Sequence, residues 1–383
     1  MAGVYIHIPF CRQACHYCNF HFTVSLKNKN AFIDALLTEI ELQKDYLEPF
    51  AEKSKDGRLL IDTLYIGGGT PSILKVVELI RIFRRLNEFF DLKPGAEITI
   101  EANPDDLTNE KLLALRQTAV NRLSIGVQSF HYPDLKYLNR YHSPAQAIQS
   151  IKNAYIAGFE NISVDLIYGT PTLDNKKWLE NLQTLVELDV PHISPYCLTV
   201  EEKTALNVFI KRGQHESVDE NQAGEQFEMM VEFLEKNGYE LYEISNFGKS
   251  GFFSKHNLSY WLGMPYLGLG PSAHSFNGKS RQWNINNTSQ YICQIEKGIV
   301  PFEKELITVQ SSFNEYIMTS LRTKWGCSKN KISSDYGSKY LRHFEKEVAS
   351  YLKDGFLVEN GDSVVLTGKG KLFADRIASN LFV

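Results

Sequence analysis

The protein has 383 residues, of which 43% are hydrophobic and 22% are charged, and its net charge is −4. This composition is typical of a globular protein and excludes a disordered or fibrous chain. The small negative charge argues against a protein that works mainly on nucleic acid, and no apolar run approaches the ~18 residues of a transmembrane helix.

Six short apolar runs, rich in β-branched residues, are each followed by a longer amphipathic stretch. We predict strands at residues 4–8, 63–67, 97–102, 122–128, 162–169 and 192–198. The intervening helices are predicted at residues 29–53, 73–90, 108–118, 144–157 and 175–189. Strands that alternate with helices indicate an α/β fold with a parallel sheet. Six consecutive units favour a barrel or partial barrel, and a doubly wound open sheet is the alternative.

The pattern changes after residue 200. We predict a helix at 222–237, a strand at 239–247, and a loop with short strands at 255–287. From about residue 305, three helices are predicted at 311–325, 330–335 and 338–353, followed by a hairpin at Asn360-Gly361 and a final helix. This order resembles a winged-helix domain, and a plain packing module is the alternative. We expect domain boundaries that give units 1–200, 201–304 and 305–383.

Three of the six cysteines, Cys11, Cys15 and Cys18, lie directly after the first predicted strand. In parallel α/β folds that end of the strand carries the ligand site. Thiolates are soft ligands for iron, and three of them leave one iron of a 4Fe–4S cluster open to an exogenous chelating ligand. Zinc with His16 or His21 as a fourth ligand is the alternative. The isolated cysteines are expected in the core: Cys197, Cys293 and Cys327.

The CxxxCxxC spacing after a first strand resembles the signature of the radical S-adenosylmethionine (SAM) superfamily. The wider context, YIHIPFCRQACHYCNF, is similar to one branch, the oxygen-independent coproporphyrinogen III oxidases and the related HemW-type heme chaperones. This resemblance covers nearly the whole chain. It implies a partial (β/α)6 barrel with a winged-helix-like C-terminal domain, a 4Fe–4S cluster on the three cysteines, and SAM on the open iron.

Further polar residues follow the predicted strands. The turn at residues 67–71, GGGTP, lets the backbone approach a ligand closely, although alone it indicates only a tight strand-to-helix turn. Glu101 ends the third strand, where a carboxylate can accept hydrogen bonds from ribose hydroxyls or an ammonium group. Tyr5 is also typical of a core position. The resemblance implies that these residues contact SAM: Tyr5, Gly68, Gly69, Thr70, Glu101, Gln128, Arg140 and Asp165.

Three features distinguish the HemW-type heme chaperones from the oxidases within this branch. Cys11 lies only ten residues into the chain, whereas the oxidases begin with a longer segment that helps to close the substrate site. Phe20 stands two positions after Cys18, where the oxidases carry a further cysteine. The stretch HNLSYW at residues 256–261 matches the HNxxYW pattern of HemW-type proteins.

The HNxxYW pattern implies heme binding through His256, Tyr260 and Trp261. Imidazole is a common axial ligand of heme iron, and aromatic rings can stack on a porphyrin. The alternative is a histidine that forms hydrogen bonds within a loop beside core aromatic residues. His274 is a second candidate ligand, without support from a motif.

We therefore expect a heme chaperone that binds heme and delivers it to an acceptor protein, with respiratory heme proteins as the implied acceptors. Coproporphyrinogen oxidase activity is not expected, and a radical SAM oxidase that decarboxylates coproporphyrinogen III is the main alternative. A degenerate fold that acts only as a binding module, with zinc or an empty site, is a third. The N-terminus lacks a signal-peptide pattern, so we expect a cytoplasmic protein, peripheral at the membrane when it reaches an acceptor. The family resemblance allows a cofactor-linked homodimer.

Overall fold

The computed structural model describes residues 2–383 and contains one large and one small sheet. The strands of the large sheet are β1 (Gly3–Ile8), β2 (Leu59–Gly68), β3 (Phe90–Ala102), β4 (Arg122–Gln128), β5 (Asn161–Tyr168), β6 (His192–Cys197), β7 (Glu240–Glu243), β8 (Asn246–Gly248), β9 (Tyr266–Leu269), β10 (His274–Phe276), β11 (Ser280–Asn284) and β12 (Phe302–Leu306). The strands of the small sheet are β13 (Cys327–Ser328), β14 (Leu357–Asn360) and β15 (Ser363–Leu366).

The helices of the first part of the chain are α1 (Lys29–Leu42), α2 (Val76–Leu86), α3 (Asn109–Arg116), α4 (Tyr132–Tyr137), α5 (Pro144–Ile156), α6 (Asn175–Glu187), α7 (Ala205–Lys211), α8 (Glu220–Lys236), α9 (Lys255–Trp261) and α10 (Thr288–Ile295). Those of the last part are α11 (Val309–Leu321), α12 (Lys329–Tyr336), α13 (Ser338–Lys353), α14 (Gly368–Lys371) and α15 (Ala374–Asn380). Across residues 2–383, none of the helices combines the length and the hydrophobicity that spanning a bilayer requires.

Strands β1 to β6 are neighbours in chain order, and the pairings among these six strands are all parallel. This sequential order is that of a barrel, because a doubly wound sheet reverses its strand order at a switch point. β9 adds in parallel beside β1, and the antiparallel strands β10, β11 and β12 continue that side. β8 and β7 add to β6 on the other side. The sheet therefore runs from β12 to β7 and forms an open, partial barrel.

Local sequence signals explain where several helices begin. At the start of α5, the Ser143 hydroxyl accepts from the Gln146 amide and the Gln146 side chain accepts from the Ser143 amide, which forms a capping box. Pro144 occupies the first helical position, where its missing amide hydrogen costs nothing. α1 ends at Leu42, earlier than predicted, and turns follow it. Leu47 lies in these turns and still packs in the core, which explains why the apolar spacing continued past the helix.

The stretch predicted as loop and short strands contains a helix as well. The HNLSYW sequence lies within α9, whose start is capped by the Ser254 hydroxyl. The buried Glu97 carboxylate, from β3, accepts from the backbone amides of Lys255 and His256. A negative charge at this end of a helix satisfies unpaired amides and complements the helix dipole. The stabilising carboxylate is more than 150 residues away in the chain, so the local sequence does not reveal it.

The C-terminal part has its own hydrophobic core. Helices α11, α12 and α13 precede the β14–β15 hairpin, and this is the predicted winged-helix-like order. Cys327 is buried in this core, as expected. The same expectation was wrong for Cys197 and Cys293, which are exposed. Cys197 ends β6 at the rim of a cavity, and Cys293 lies between the buried positions of α10.

Candidate functional site

The carboxyl ends of the parallel strands surround a cavity of about 460 Å³. It is lined by the three cysteines and by seven of the eight residues predicted to contact SAM. These lining residues are Cys11, Cys15, Cys18, Gly68, Gly69, Thr70, Glu101, Gln128, Arg140 and Asp165. They come from positions up to 154 residues apart, because parallel strands deliver all their carboxyl ends to the same edge of the sheet. We name this space the cluster cavity.

The cysteine loop leaves β1 and is tied to the neighbouring elements. The Thr70 hydroxyl donates to Cys11 Sγ over 3.4 Å, and Arg140 Nη1 donates to Cys15 Sγ over 3.4 Å. Burial raises the pKa of Cys11 and of Cys18 to about 11. The free thiols are therefore protonated at neutral pH, and binding to iron would release their protons. Donors already directed at sulfur would stabilise the thiolates that a cluster requires.

The donor set fits an iron–sulfur cluster better than a single zinc ion. His16 Nδ1 lies 3.0 Å from the Tyr137 carbonyl oxygen, and His21 Nε2 lies 2.9 Å from Thr288 Oγ1. Neither histidine lines the cluster cavity. Within residues 2–383, no three His, Cys, Asp or Glu side chains surround a single metal-ion position. A cluster does not require its three thiolates to share one metal position, because each thiolate binds its own iron.

The glycine-rich turn after β2 lies against the cysteine loop. A Cβ atom on Gly69 would lie 2.8 Å from the Phe10 carbonyl oxygen and 2.9 Å from Cys11 Sγ. Gly68 has a φ of +114°, which residues with a side chain rarely adopt, and its amide donates to Glu101 Oε2. The turn therefore requires glycine for two reasons, close approach and backbone conformation.

Two half-buried carboxylates face the cluster cavity. Glu101 accepts from the Tyr65 hydroxyl over 2.8 Å and from the Gly68 amide over 3.1 Å. Burial raises its pKa to about 7. Asp165 accepts from the Ser124 hydroxyl over 3.3 Å, and burial raises the pKa of Asp165 to about 6. Both groups have lost water without gaining a full set of donors, so each can accept hydrogen bonds from a ligand's hydroxyl or ammonium groups.

Arg140 is the cation of the cavity. Its Nη2 donates to Asn103 Oδ1 over 2.7 Å and to the Gly126 carbonyl over 2.6 Å. Its Nε is buried and has no hydrogen-bond partner among the described residues. Nearby, Gln128 has a φ of +69° at an irregularity in the β4–β5 pairing. Strained backbone and an unsatisfied donor of this kind are typical of ligand sites.

The sequence prediction missed several residues of the cavity. Asn103, which orients Arg140, lines it together with Ser124, Tyr196 and Cys197. Asn103, Tyr196 and Cys197 lie at or just after the carboxyl ends of β3 and β6, so strand-end position was a usable signal for them. The arrangement as a whole combines soft iron ligands with hydrogen-bond acceptors and a guanidinium. It can bind a cluster together with an amino acid joined to a nucleoside.

A second, larger cavity of about 1100 Å³ adjoins the first. Asn19 and Phe20 line both cavities. The walls come from the loop after the cysteines, the region from α9 to β11, and helices α11 and α12. Tyr260 and Trp261 of the HNLSYW sequence lie on this wall. We name this space the large cavity.

Tyr5 lies apart from the other predicted SAM residues. It lines the large cavity, and the residues of the cluster cavity do not include it. Its ring stacks on Tyr65 with centroids 6.1 Å apart and lies 6.4 Å from the His256 ring. Its hydroxyl lies 3.2 Å from His7 Nδ1. In this conformation Tyr5 therefore belongs to an aromatic stack with Tyr65 and His256, and the Tyr65 hydroxyl joins this stack to Glu101 of the cluster cavity.

His256 lies behind the wall of the large cavity and is only 1% exposed. Its Nδ1 lies 2.8 Å from Thr63 Oγ1, and its Nε2 lies 2.8 Å from the Tyr260 hydroxyl. Burial lowers the pKa of His256 to about 3. This placement argues against direct iron ligation by His256 and agrees with the hydrogen-bonding alternative. His274, in contrast, lines the large cavity.

Comparison with known proteins gives consistent matches. Residues 5–191 match the model of the radical SAM superfamily, and residues 309–373 match that of the HemN C-terminal domain. The heme chaperone HemW of Bacillus subtilis is 34% identical over 382 residues, which cover 98% of each chain. HemW of Mycobacterium tuberculosis strain H37Rv is 31% identical, over 99% of this chain and 94% of that protein.

A solved structure shares the fold over the whole chain. The radical SAM enzyme coproporphyrinogen III oxidase (HemN) from Escherichia coli superposes with a TM-score of 0.85 at 24% identity. The match covers 100% of this chain and 90% of that one. The resemblance extends from the partial barrel through the C-terminal domain.

Proposed function

This chain belongs to the HemW family of heme chaperones within the radical SAM superfamily, and on that premise we propose that it binds heme and transfers it to an acceptor protein. In this proposal a 4Fe–4S cluster occupies the cluster cavity, with SAM on its open iron. Heme occupies the large cavity next to it. The observation that carries the proposal is the adjacency of the two cavities, which share Asn19 and Phe20 as a common wall.

Cys11, Cys15 and Cys18 would hold the cluster, which supplies an open iron position and an electron when bound. The residues of this chain would then orient SAM. Arg140 has a free Nε for a carboxylate, while Glu101 and Asp165 are acceptors for hydroxyl and ammonium groups. Gly68, Gly69, Thr70 and Gln128 complete the set, and Tyr5 would act from the large cavity.

The large cavity suits a porphyrin in size and lining. Its volume of about 1100 Å³ lies slightly above the usual ~300–1,000 Å³ range of ligand pockets. Tyr260 packs edge-on against Tyr266 with centroids 4.6 Å apart, and Tyr266 lies 6.3 Å from Phe276. These rings and Trp261 line the same cavity and offer aromatic surface to a flat macrocycle. His256 would contribute by holding Tyr260 in position.

The exposed rim of the large cavity supports transfer to another protein. Phe20 is 69% exposed and Trp325 is 42% exposed, so an acceptor could reach a bound heme without unfolding the barrel. We propose respiratory heme proteins as acceptors, a cytoplasmic chain that contacts the membrane peripherally, and a homodimer linked through its cofactors. The domain units 1–200, 201–304 and 305–383 are part of the proposal, and residues of all three line the large cavity.

The decisive experiment combines two measurements on anaerobically reconstituted protein. Titration with hemin should give a saturable Soret band, and incubation with coproporphyrinogen III, SAM and reductant should give no protoporphyrinogen. Trp261→Leu should weaken hemin binding, whereas the matched control Tyr132→Leu, an exposed aromatic residue outside both cavities, should not. Formation of protoporphyrinogen would replace the proposal with an oxidase, and absence of saturable hemin binding would refute it.

A further inference from the structure

We propose that His274 is the residue of the large cavity that ligates heme iron, an inference that rests on the proposed function. The cavity wall and its backing contain several imidazoles and phenols that could in principle bind iron. Among the imidazoles, His274 is the one with both ring nitrogens unpaired within residues 2–383.

The other histidines near the large cavity are already engaged. The ring of His7 is occupied at both nitrogens, with Nε2 lying 2.8 Å from the His21 carbonyl oxygen and Nδ1 lying 3.2 Å from the Tyr5 hydroxyl. His256 is also occupied at both nitrogens and is buried. His21 lines the cavity, but its Nε2 is paired with the Thr288 hydroxyl. Iron ligation by His7 or His256 would require breaking buried hydrogen bonds, which is costly.

The phenols of the cavity are poor iron ligands in their resting state. Ligation by tyrosine uses the phenolate, and burial raises the pKa of Tyr316 to about 12. Burial also raises the pKa of Tyr336, and it raises the pKa of Tyr260 well above the usual range of a phenol. These side chains therefore stay protonated at neutral pH and serve as packing surfaces and hydrogen-bond donors.

His274 differs from these residues in three ways. Its side chain is exposed to the cavity, and neither ring nitrogen has a hydrogen-bond partner within residues 2–383. Its ring stacks on Trp283, with centroids 6.0 Å apart and planes 28° apart, so its orientation is restrained without use of either nitrogen. Burial, followed by the charge of Arg281, lowers the pKa of His274, which keeps the imidazole in the neutral form that binds metals.

The backbone around His274 is arranged to place it there. A Cβ atom on Gly268 would lie 1.9 Å from the His274 carbonyl oxygen, so β9 and β10 can approach only because residue 268 is glycine. Strand alternation then directs His274 and Phe276 to the cavity and Ser275 into the core. A porphyrin held through His274 would lie along the wall formed by Phe276 and Tyr266.

The opposite wall offers a cation for a heme propionate. Lys331 of α12 lines the cavity and pairs with Asp335, with a side chain that is 52% exposed. An exposed pair of this kind contributes little to stability, so Lys331 can exchange Asp335 for a propionate at small cost. The heme would then span the cavity from β10 to the C-terminal domain.

The test compares hemin titrations of the full-length wild type with those of three variants. His274→Ala should shift the Soret band and weaken hemin binding about tenfold or more, while His131→Ala and His343→Ala, at histidines that do not line the large cavity, retain the wild-type band position. Millimolar imidazole added to hemin-loaded His274→Ala should restore the wild-type band, because free imidazole can occupy the space left by the side chain. Circular dichroism should show an unchanged fold, because the side chain of His274 makes no hydrogen bond within residues 2–383 and its backbone pairing with β11 is kept.

The outcomes separate this inference from the proposed function. If the wild type does not bind hemin, the proposed function fails. If the wild type binds and His274→Ala has the same band and affinity, ligation by His274 is refuted while the chaperone function stands. Loss of binding that imidazole does not restore, in a folded variant, would assign His274 a packing role and equally overturn the inference.

Discussion

Replacement of His256 by alanine should destabilise the fold rather than remove an iron ligand. The imidazole joins β2 to α9, since its two nitrogens are paired with the hydroxyls of Thr63 and Tyr260, each over 2.8 Å. Its ring also stacks on Tyr65, with centroids 5.0 Å apart and planes 24° apart. The alanine variant would lose both hydrogen bonds and the stack at once.

The structure allows the size of the effect to be worked out. Each buried hydroxyl left without a partner costs about 1–3 kcal/mol. Loss of the ring stacking adds about 0.5–1.5 kcal/mol. The sum is centred on about 5 kcal/mol, which is near the upper end for a single substitution. His256→Gln keeps a side chain that can both donate and accept a hydrogen bond. We therefore expect its loss in the free energy of unfolding to be about half of that of His256→Ala.

The pH dependence of the free energy of unfolding gives a second test of the burial of His256. Burial lowers the pKa of His256 to about 3, whereas an unfolded histidine has a pKa near 6.5. The unfolded chain therefore gains a proton below pH 6.5 that the folded chain does not. The stabilising contribution of neutral His256 is complete above pH 6.5 and is lost as the pH falls towards 3, by up to about 1.4 kcal/mol per pH unit. His256→Gln lacks this dependence.

The assay is urea unfolding followed by circular dichroism at pH 7.5 and pH 5.5, with a hemin titration of each variant. His131→Ala is the control, because the His131 side chain is half-buried and makes one hydrogen bond, to the Lys177 carbonyl, beside a contact of 3.6 Å with the half-exposed Glu180. We expect His131→Ala to lower the free energy of unfolding by less than about 1.5 kcal/mol. If His256→Ala unfolds within about 1 kcal/mol of the wild type and yet loses the Soret band, the structural reasoning is wrong and His256 is a ligand.

The remaining predictions concern the cluster cavity and the core. Cys15→Ala should abolish the cluster, as measured by iron and sulfide content after reconstitution, while the exposed control Cys293→Ala retains it. Full retention of the cluster in Cys15→Ala would refute the three-thiolate site. Arg140→Lys should weaken SAM binding about tenfold, because lysine lacks the forked donors, and unchanged affinity in equilibrium dialysis would contradict this. SAM binding should tighten as the pH rises from 6 to 8, because burial raises the pKa of Glu101 to about 7 and the ionised carboxylate accepts more strongly; a flat profile would argue against Glu101 as a contact. Glu39→Gln should destabilise the protein by about 2–4 kcal/mol in thermal unfolding, because three buried donors converge on that carboxylate; a change below about 1 kcal/mol would contradict the network.

Short-range sequence patterns were sufficient for most of the barrel. The six strands were predicted within a few residues, except that β2 and β3 begin earlier in the chain, because alternation of apolar runs and amphipathic stretches depends on neighbouring residues. The capping box at Ser143 is likewise a local feature. The convergence of Glu101, Arg140 and the cysteines also follows from the sequence, because parallel strands bring their carboxyl ends together.

Features that depend on distant partners were not predictable in this way. The HNLSYW sequence was predicted as loop because its helix is stabilised by Glu97, a residue of another strand. Tyr5 was assigned to SAM by resemblance, but the register of β1 against β2 sets its ring beside Tyr65 and the large cavity. Cys197 was expected in the core, yet it ends a strand at the cavity rim.

The amino-acid sequence by itself determined the family, the cluster motif and the parallel order of the barrel, because these depend on spacing and alternation along the chain. Only the tertiary structure decided which histidine side chain faces the large cavity. His256 carries the motif but has both nitrogens occupied by Thr63 and Tyr260, whereas His274 has no motif and faces the large cavity. The physical reason is that hydrogen-bond saturation and burial are set by residues brought together in folding, and no local pattern encodes them.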